Sequence, residues 1–298
     1  PRPRLDSHRL IELFMVLANV CAAEELERLR RPCMYRIHAA PSPEKLLVLR
    51  SFLHGIGVSL PPSGEVHPRD LSRVLQAVAG TDQAQLVSEV VLRSQMQAAY
   101  SPDNIGHFGL ALPRYAHFTS PIRRYADLLV HRSLIAGLRL GAGGLPAEAG
   151  GAFPDIAEHI SATERRATLA ERDATDRYLA AYMADKVGQS FPARISGVTR
   201  FGLFITLAES GASGLVPLSS LPDDHWLHDE AAQSLTGRHG GLVFRLAQSV
   251  TARLAEANPV TGGLVFEIAA EGGRRPVPRP ATPPGRPAKR GRRGRSHG

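Results

Sequence analysis

The 298-residue sequence lacks any run approaching the roughly 18 apolar residues a helix needs to cross a bilayer, which excludes a helical membrane protein. Its two cysteines, Cys21 and Cys33, are too few for a disulfide framework or a four-ligand zinc site. Aromatic residues are only 6% of the chain, so no large aromatic-lined pocket is advertised. Twelve histidines invite a metal hypothesis, yet no HxxxH, HExxH or CxxC spacing occurs, and no metal ligands are expected. GxSxG is absent as well, so a serine-hydrolase elbow is unsupported. The opening Pro1-Arg2-Pro3-Arg4 carries no secretory pattern, and a cytoplasmic location is expected. That the chain starts at proline hints at a fragment.

What is present is a folded chain with a charged end. Hydrophobic residues make up 43% and charged residues 21%, ordinary for globular domains, and the length suits about two of them. The formal charge of +8 is localised. Residues 271–298 hold nine Lys or Arg against the single acid Glu271, so the rest of the chain sums to zero. This Pro/Gly/Arg-rich tail has too little apolar surface to offset its chain entropy and is expected to be disordered. A basic arm of this kind attracts polyanions, nucleic acid above all, unless it serves only solubility.

The first two thirds read as helical. Residues 7–30 place Leu10, Phe14, Leu17 and Cys21 at helical spacing behind Ser7 as N-cap. Further helices are predicted over 43–54, 67–79 and 82–97, and a short strand over 106–112. Ser120-Pro121 looks like an N-cap followed by proline at the first helical position, with a helix running to about Leu140. Residues 142–151 read as a flexible connection, and 153–187 as a long helix ended by Gly188. Beyond it the texture changes to short alternating runs broken by glycine, at 189–207, 214–217, 242–247, 248–256 and 263–269. Short strands at that density point to a five-stranded barrel of the OB type. The fold class is therefore α+β: a mostly helical part over 1–187, a small barrel over 188–270 and the tail over 271–298.

The sharpest local feature is HFTSPIRRYADLLVHR, residues 117–132. On the helix reading, Arg123 and Arg124 fall in the first turn, where acids are preferred. An anion docked there relieves the conflict, meeting free backbone N–H groups, the Ser120 hydroxyl and a guanidinium; the plainer alternative pairs both arginines with acids of a neighbouring helix. His117 and Tyr125 flank the same segment. A second feature is the charged run Glu164 to Arg177. Such a run is usually a solvated face, but Glu171 and Arg172 cannot share one face, so one of them is a candidate to point inward. Glu12 and Asn19, seven apart on an apolar helix, lie on one stripe, either hydrogen-bonded internally or lining a cavity. On the barrel, Phe191, Phe201 and Phe204 lie near Arg194 and Arg200, a combination able to stack bases and hold phosphates; Phe201, beside a turn glycine, is the better exposed candidate.

Four segments, IELFMVLANVCAAEEL, YRIHAAPSPEKL, YSPDNIGHFGLALPRYAHFTSPIRRYADLLVHR and LAERDATDRYLAAYMADKVGQSFPARISGV, together resemble the bacterial ribonuclease R/ribonuclease II (RNB) family in order and spacing. Residues 1–187 resemble the C-terminal part of its RNB catalytic domain, and 188–270 its S1 RNA-binding domain. The resemblance implies a 3′→5′ hydrolytic exoribonuclease that releases nucleoside 5′-monophosphates from single-stranded RNA with magnesium. It implies that Arg123 grips the phosphate near the scissile bond, that Glu12 contacts the terminal ribose and helps tell RNA from DNA, and that Glu171 influences product release. With the residue patterns above, RNA contact is expected through Asn19, His117, Ser120, Arg124, Tyr125, Arg194, Arg200, Phe201 and Phe204. The family's metal-binding aspartate cluster has no counterpart here, so the Mg2+ ligands are expected outside this chain, in a missing N-terminal half, and the isolated chain is expected to be an inactive monomer. A non-catalytic RNA-binding module using barrel and tail is the alternative, and a helical interaction protein the blandest reading.

Overall fold

Among the described residues, six α-helices carry the first two thirds of the chain: α1 (Asp6–Arg28), α2 (Pro43–Gly55), α3 (Pro68–Ala77), α4 (Ala84–Ser94), α5 (Tyr125–Leu138) and α6 (Phe153–Ala184). The computed structural model describes residues 3, 5–61, 66–81, 83–230 and 232–268; the basic tail expected at 271–298 lies outside them. Start signals explain most boundaries. Ser42 Oγ accepts the Lys45 N–H at 3.4 Å ahead of Pro43, and Asp70 Oδ2 accepts the His67 N–H at 2.9 Å ahead of Pro68. Ser7 is not the cap of α1. That helix begins one residue earlier behind Leu5, whose N–H is taken by His8 Nδ1 at 3.2 Å.

Other sequence readings need correction. The run 106–112 is not a strand: Phe108–Leu110 form one 3-10 turn, closed by Ala111 in the left-handed region at φ 55°. A small antiparallel pair, β1 (Tyr35–Ile37) with β2 (Ala99–Ser101), has three-residue strands too short to show alternation. Ser120 does not cap α5 either. Pro121, Ile122 and Arg123 make a turn in which the Arg123 and Arg124 N–H groups both reach the Ser120 carbonyl at 3.2 Å. Arg124 is extended at φ −130°, ψ 119°, and it is the residue from which the helix departs.

The barrel is closed in the order β10-β5-β4-β3-β9, built from β3 (Ser190–Thr199), β4 (Gly202–Leu207), β5 (Ser213–Pro217), β9 (Ser249–Asn258) and β10 (Gly263–Ile268). Gly188, at φ +89°, turns the chain from α6 into β3. The run 189–207 thus splits into two strands. The run 242–247 leaves the barrel: it supplies β8 (Val243–Arg245) to a separate three-stranded sheet with β6 (Trp226–Asp229) and β7 (Ser234–Gly237). The β3–β4 turn requires glycine at 202, because at φ +152° a Cβ would sit 2.3 Å from the Val216 carbonyl oxygen.

Two cores result. One gathers the second half of α1, the β1–β2 pair, α5 and the start of α6 around Leu26, Met34, Leu129 and Phe153. The other joins α2, α3 and α4 and the end of α6 to the barrel interior, with Leu53, Val87, Met183, Ile195, Leu203 and Phe266 in one cluster. Between its two packed ends, α6 is exposed on every face from Glu164 to Thr175.

Candidate functional site

The segment 117–124 is irregular backbone, and buried polar groups from two helices hold it. From α1, Asn19 is buried and uses both ends of its amide: Nδ2 donates to Tyr115 Oη at 2.8 Å, while Oδ1 accepts the Phe118 and Thr119 N–H groups at 2.9 and 3.2 Å. From α5, the fully buried Asp127 accepts the Ser120 N–H at 2.7 Å and the Arg124 Nε and Nη2 at 2.7 and 2.8 Å. His131 stacks on the Phe118 ring at 4.2 Å and its Nε2 lies 2.8 Å from the Phe118 carbonyl oxygen. The loop is thus fixed at both ends by charge-assisted and neutral hydrogen bonds out of water, where such bonds are strongest.

The two adjacent arginines therefore differ. Arg124 is committed to Asp127, with a side chain only 19% exposed. Arg123 is exposed and, among the described residues, makes no side-chain hydrogen bond or ion pair. Beside it Ile122 stands fully in solvent and Tyr125 is half exposed. Fixed backbone with an unpartnered guanidinium is an arrangement able to receive a phosphate. The expected helix N-terminus is not part of it, since α5 starts after both arginines. His117 backs the loop with its Nδ1 2.9 Å from Tyr100 Oη. Burial, reinforced by Arg124 and Arg36, holds its pKa down to about 3, so it is neutral at pH 7. His107, edge-on to Tyr115, is lowered to about 4 by burial and the neighbouring His38 and Arg36. Burial likewise raises the Tyr100 phenol.

Arg36 in β1 forms two bonds to Glu164 of α6, at 2.6 and 3.0 Å, and lies over the Tyr100 ring at 4.7 Å. Sequence reasoning missed Arg36, Tyr100, Tyr115, Asp127 and His131. Asp127 had a signal, since it lies three residues after Arg124 on the helix; Arg36 had none, because its partner is 128 positions away.

The remaining candidates are spread out. Glu12 is exposed near the start of α1, about two turns before buried Asn19. Glu171 faces solvent, and so does Arg172, which reaches Asp176 at 3.8 Å. The run is the solvated face that its composition favours, exposed from Glu164 to Thr175, and the inward-pointing alternative is not seen there. On the barrel, Phe201 and Phe204 are 55% and 39% exposed and meet edge-on at 6.1 Å. Arg200 is exposed beside them. Arg194 donates to the Ala247 carbonyl at 2.9 Å, and Phe191 packs against the core.

Among the described residues, no group of three or more His, Cys, Asp or Glu is placed to hold a metal ion. None of the described helices is long and apolar enough to cross a membrane.

Residues 1–139 match the model of the RNB domain, and residues 184–268 that of the S1 RNA binding domain. The chain is similar to ribonuclease R of Escherichia coli, at 41% identity over 86% of this chain and 32% of that protein. It is similar to ribonuclease R of Aquifex aeolicus at 40% identity over 90% and 38% respectively. The chain thus spans about a third of the length of these curated relatives. Among solved structures it resembles Mycoplasma genitalium RNase R, both apo and in complex with ribose-methylated single-stranded RNA. In each case the TM-score is 0.82 and the identity 26%, over 90% of this chain and 42% of that one.

Proposed function

We propose, from the premise that this chain belongs to the RNB family and carries its S1 module, that it is the strand-gripping part of a ribonuclease R-type exoribonuclease acting on single-stranded RNA. The observation that carries this reading is the contrast within the 117–124 loop: a backbone pinned by Asn19 and Asp127, and one arginine of two left at the surface without a partner among the described residues. A guanidinium held on fixed backbone offers a bidentate grip on a phosphodiester and loses little freedom when it binds. In the reaction, water adds to the terminal phosphorus, the bond to the preceding nucleotide's 3′ oxygen breaks, and a nucleoside 5′-monophosphate leaves. Arg123 orients that phosphate and offsets its growing charge. Glu12 reads the terminal ribose, and Glu171 acts on product release. The barrel face of Arg200, Phe201 and Phe204 guides the strand by stacking and charge.

The described residues do not form a cage for Mg2+, which needs clustered oxygen ligands. On this proposal the Mg2+ ligands lie in residues outside this chain, and the described residues bind and orient the strand. The test has two arms. Arg123→Ala should weaken binding of a labelled single-stranded oligoribonucleotide to the chain. In magnesium, nucleotides should be released from 3′-labelled RNA only when the chain is combined with the N-terminal part of a ribonuclease R, and Arg123→Ala should slow that release at least tenfold. Release by the chain alone, or indifference to Arg123→Ala in both arms, overturns the reading.

A second reading, a non-catalytic RNA-binding module, is favoured by the solvent-facing Phe201–Phe204 pair beside Arg200. Its signature is RNA affinity that falls steeply with salt, is insensitive to Arg123→Ala and is lost with Phe201→Ala.

A further inference from the structure

The core boundary does not follow the family boundary. Helices α2–α4 lie within the segment matched by the RNB model, yet Leu53, Val74 and Val87 share one buried cluster with Ile195, Leu203 and Phe266 of the barrel. Helices α1 and α5 and the start of α6 build a different cluster, around Leu26 and Phe153. A polar tie crosses the α4–barrel contact. Strand β3 bulges at Ser196, where its register with β4 shifts between Ile195 and Gly197, and the Ser196 carbonyl accepts a hydrogen bond from Arg93 Nη2 of α4. The next residue, Gly197, seats Phe204: a Cβ there would come within 3.2 Å of that side chain. Phe204 in turn meets Phe201 edge-on. A line of contacts therefore leads from the helical part, through the bulge, to the aromatic pair.

We propose that α2–α4 and the barrel behave as one rigid body, and that Arg93 is a positioning residue that fixes the bearing of the Phe201–Phe204 pair relative to the helices. The aromatic part of this inference rests on the RNA-binding reading above. A bulged strand has lost part of its ladder at that point; a guanidinium on its released carbonyl restrains it. Arg123 is carried on the α1–α5 side and the aromatic pair on the barrel body, with α6 common to both cores; a strand that has met Arg123 finds the pair at an effective concentration that falls as the pair's bearing loosens. Restraint at Ser196 should therefore matter for long strands and not for short ones.

The experiment compares the chain with Arg93→Ala and Arg93→Lys, by fluorescence anisotropy, on single-stranded oligoribonucleotides of about 4 and about 12 nucleotides, spanning the range of OB-fold site sizes. Arg93→Ala should leave the short-strand affinity unchanged and weaken the long-strand affinity about three- to tenfold, with Arg93→Lys restoring most of it. Hydrogen exchange of the wild-type chain, followed by mass spectrometry in rising denaturant, supplies an arm free of RNA and of variants. Peptides from α2–α4 should open together with those from the barrel, apart from α1 and α5. An unchanged long-to-short affinity ratio in Arg93→Ala overturns the role of Arg93. Joint opening of α2–α4 with α1 and α5, while the barrel stays protected, overturns the rigid body. Failure of the RNA reading looks different: wild-type binding is absent or indifferent to Phe201→Ala, and the exchange arm still decides the rigid body.

Discussion

Asp127 offers the sharpest test of the pinned loop, because three hydrogen bonds and one charge converge on a carboxylate with no exposed surface. Asp127→Ala strips Arg124 of both its bonds and leaves a guanidinium, 19% exposed, without a counter-charge. Removing one partner of a buried pair costs about 3–5 kcal/mol; residual solvent access at Arg124 and the loss of the Ser120 bond pull in opposite directions, so about 3 kcal/mol is expected. Asp127→Asn keeps an oxygen for the Ser120 N–H but loses the charge, and should cost about 1–2 kcal/mol. Replacing both members, Arg124→Met with Asp127→Leu, removes the desolvated charges together and should recover much of the stability. It should not recover RNA affinity, because the Ser120 N–H loses its acceptor and the turn carrying Arg123 is released. Urea unfolding at pH 7.5 with an unchanged m-value measures the first quantity, and anisotropy with single-stranded RNA the second. If Asp127→Ala is as stable as the parent chain to within about 0.5 kcal/mol, the spread of an ordinary surface substitution, or the double variant binds RNA as the parent does, the pinning argument is wrong.

Asn19→Ala leaves the Phe118 and Thr119 N–H groups and the Tyr115 hydroxyl without their partner, and at about 1–3 kcal/mol per stranded group should cost about 3 kcal/mol in the same unfolding assay, the loop amides relaxing partly toward water. The histidines set a pH dependence. His117 and His107 have pKa values lowered to about 3 and about 4 in the folded chain, whereas the unfolded chain binds a proton near 6.5. Stability is therefore intact above about pH 6.5 and falls as pH drops toward the folded values, by about 2 kcal/mol per histidine at pH 5. His117→Gln should flatten that slope, measured as unfolding free energy against pH. On the barrel, Phe201→Ala should weaken single-stranded RNA by about 1–3 kcal/mol with an unchanged salt slope, while Arg200→Ala should reduce the slope. Gly202→Ala should destabilise the barrel by about 2 kcal/mol or more, read as a lower unfolding free energy in the same urea assay, because its Cβ has no space beside the Val216 carbonyl.

The helices were legible because their apolar periodicity is long and their starts carry Ser, Pro and acidic signals, as at Ser42-Pro43 and His67-Pro68. The barrel was legible because glycine and alternation punctuate its strands. What escaped was decided by distant partners. Ser120-Pro121 has the local form of a helix start, yet the Asp127 carboxylate of the next helix takes the Ser120 N–H, and the helix waits until Tyr125. The strands β1 and β2 depend on distant partners: Tyr35 pairs with Ser101 and Ile37 with Ala99 across three intervening helices, and Tyr35 also bridges Ala116. Run 242–247 alternates like a barrel strand but pairs with β7, and the bulge at Ser196 leaves no mark in composition. Of the candidate site, the residue types were readable; which of two adjacent arginines is free was not, since that depends on where Asp127 turns.

That asymmetry also explains why the segment tolerates two neighbouring cations. Unscreened, two guanidinium groups side by side repel, and an arginine at the start of a helix meets the positive end of its dipole. Here the buried Asp127 neutralises Arg124 and occupies the third position of α5, where a carboxylate is favoured. The pair Arg124–Asp127 is therefore close to electrically silent and supplies geometry, while the net positive charge of the turn resides on Arg123. Exchanging the order of roles, by Arg124→Ala, should leave an unpaired buried carboxylate and destabilise the fold. Arg123→Ala, by contrast, should leave the unfolding free energy within about 0.5 kcal/mol of the parent and alter only what the turn binds.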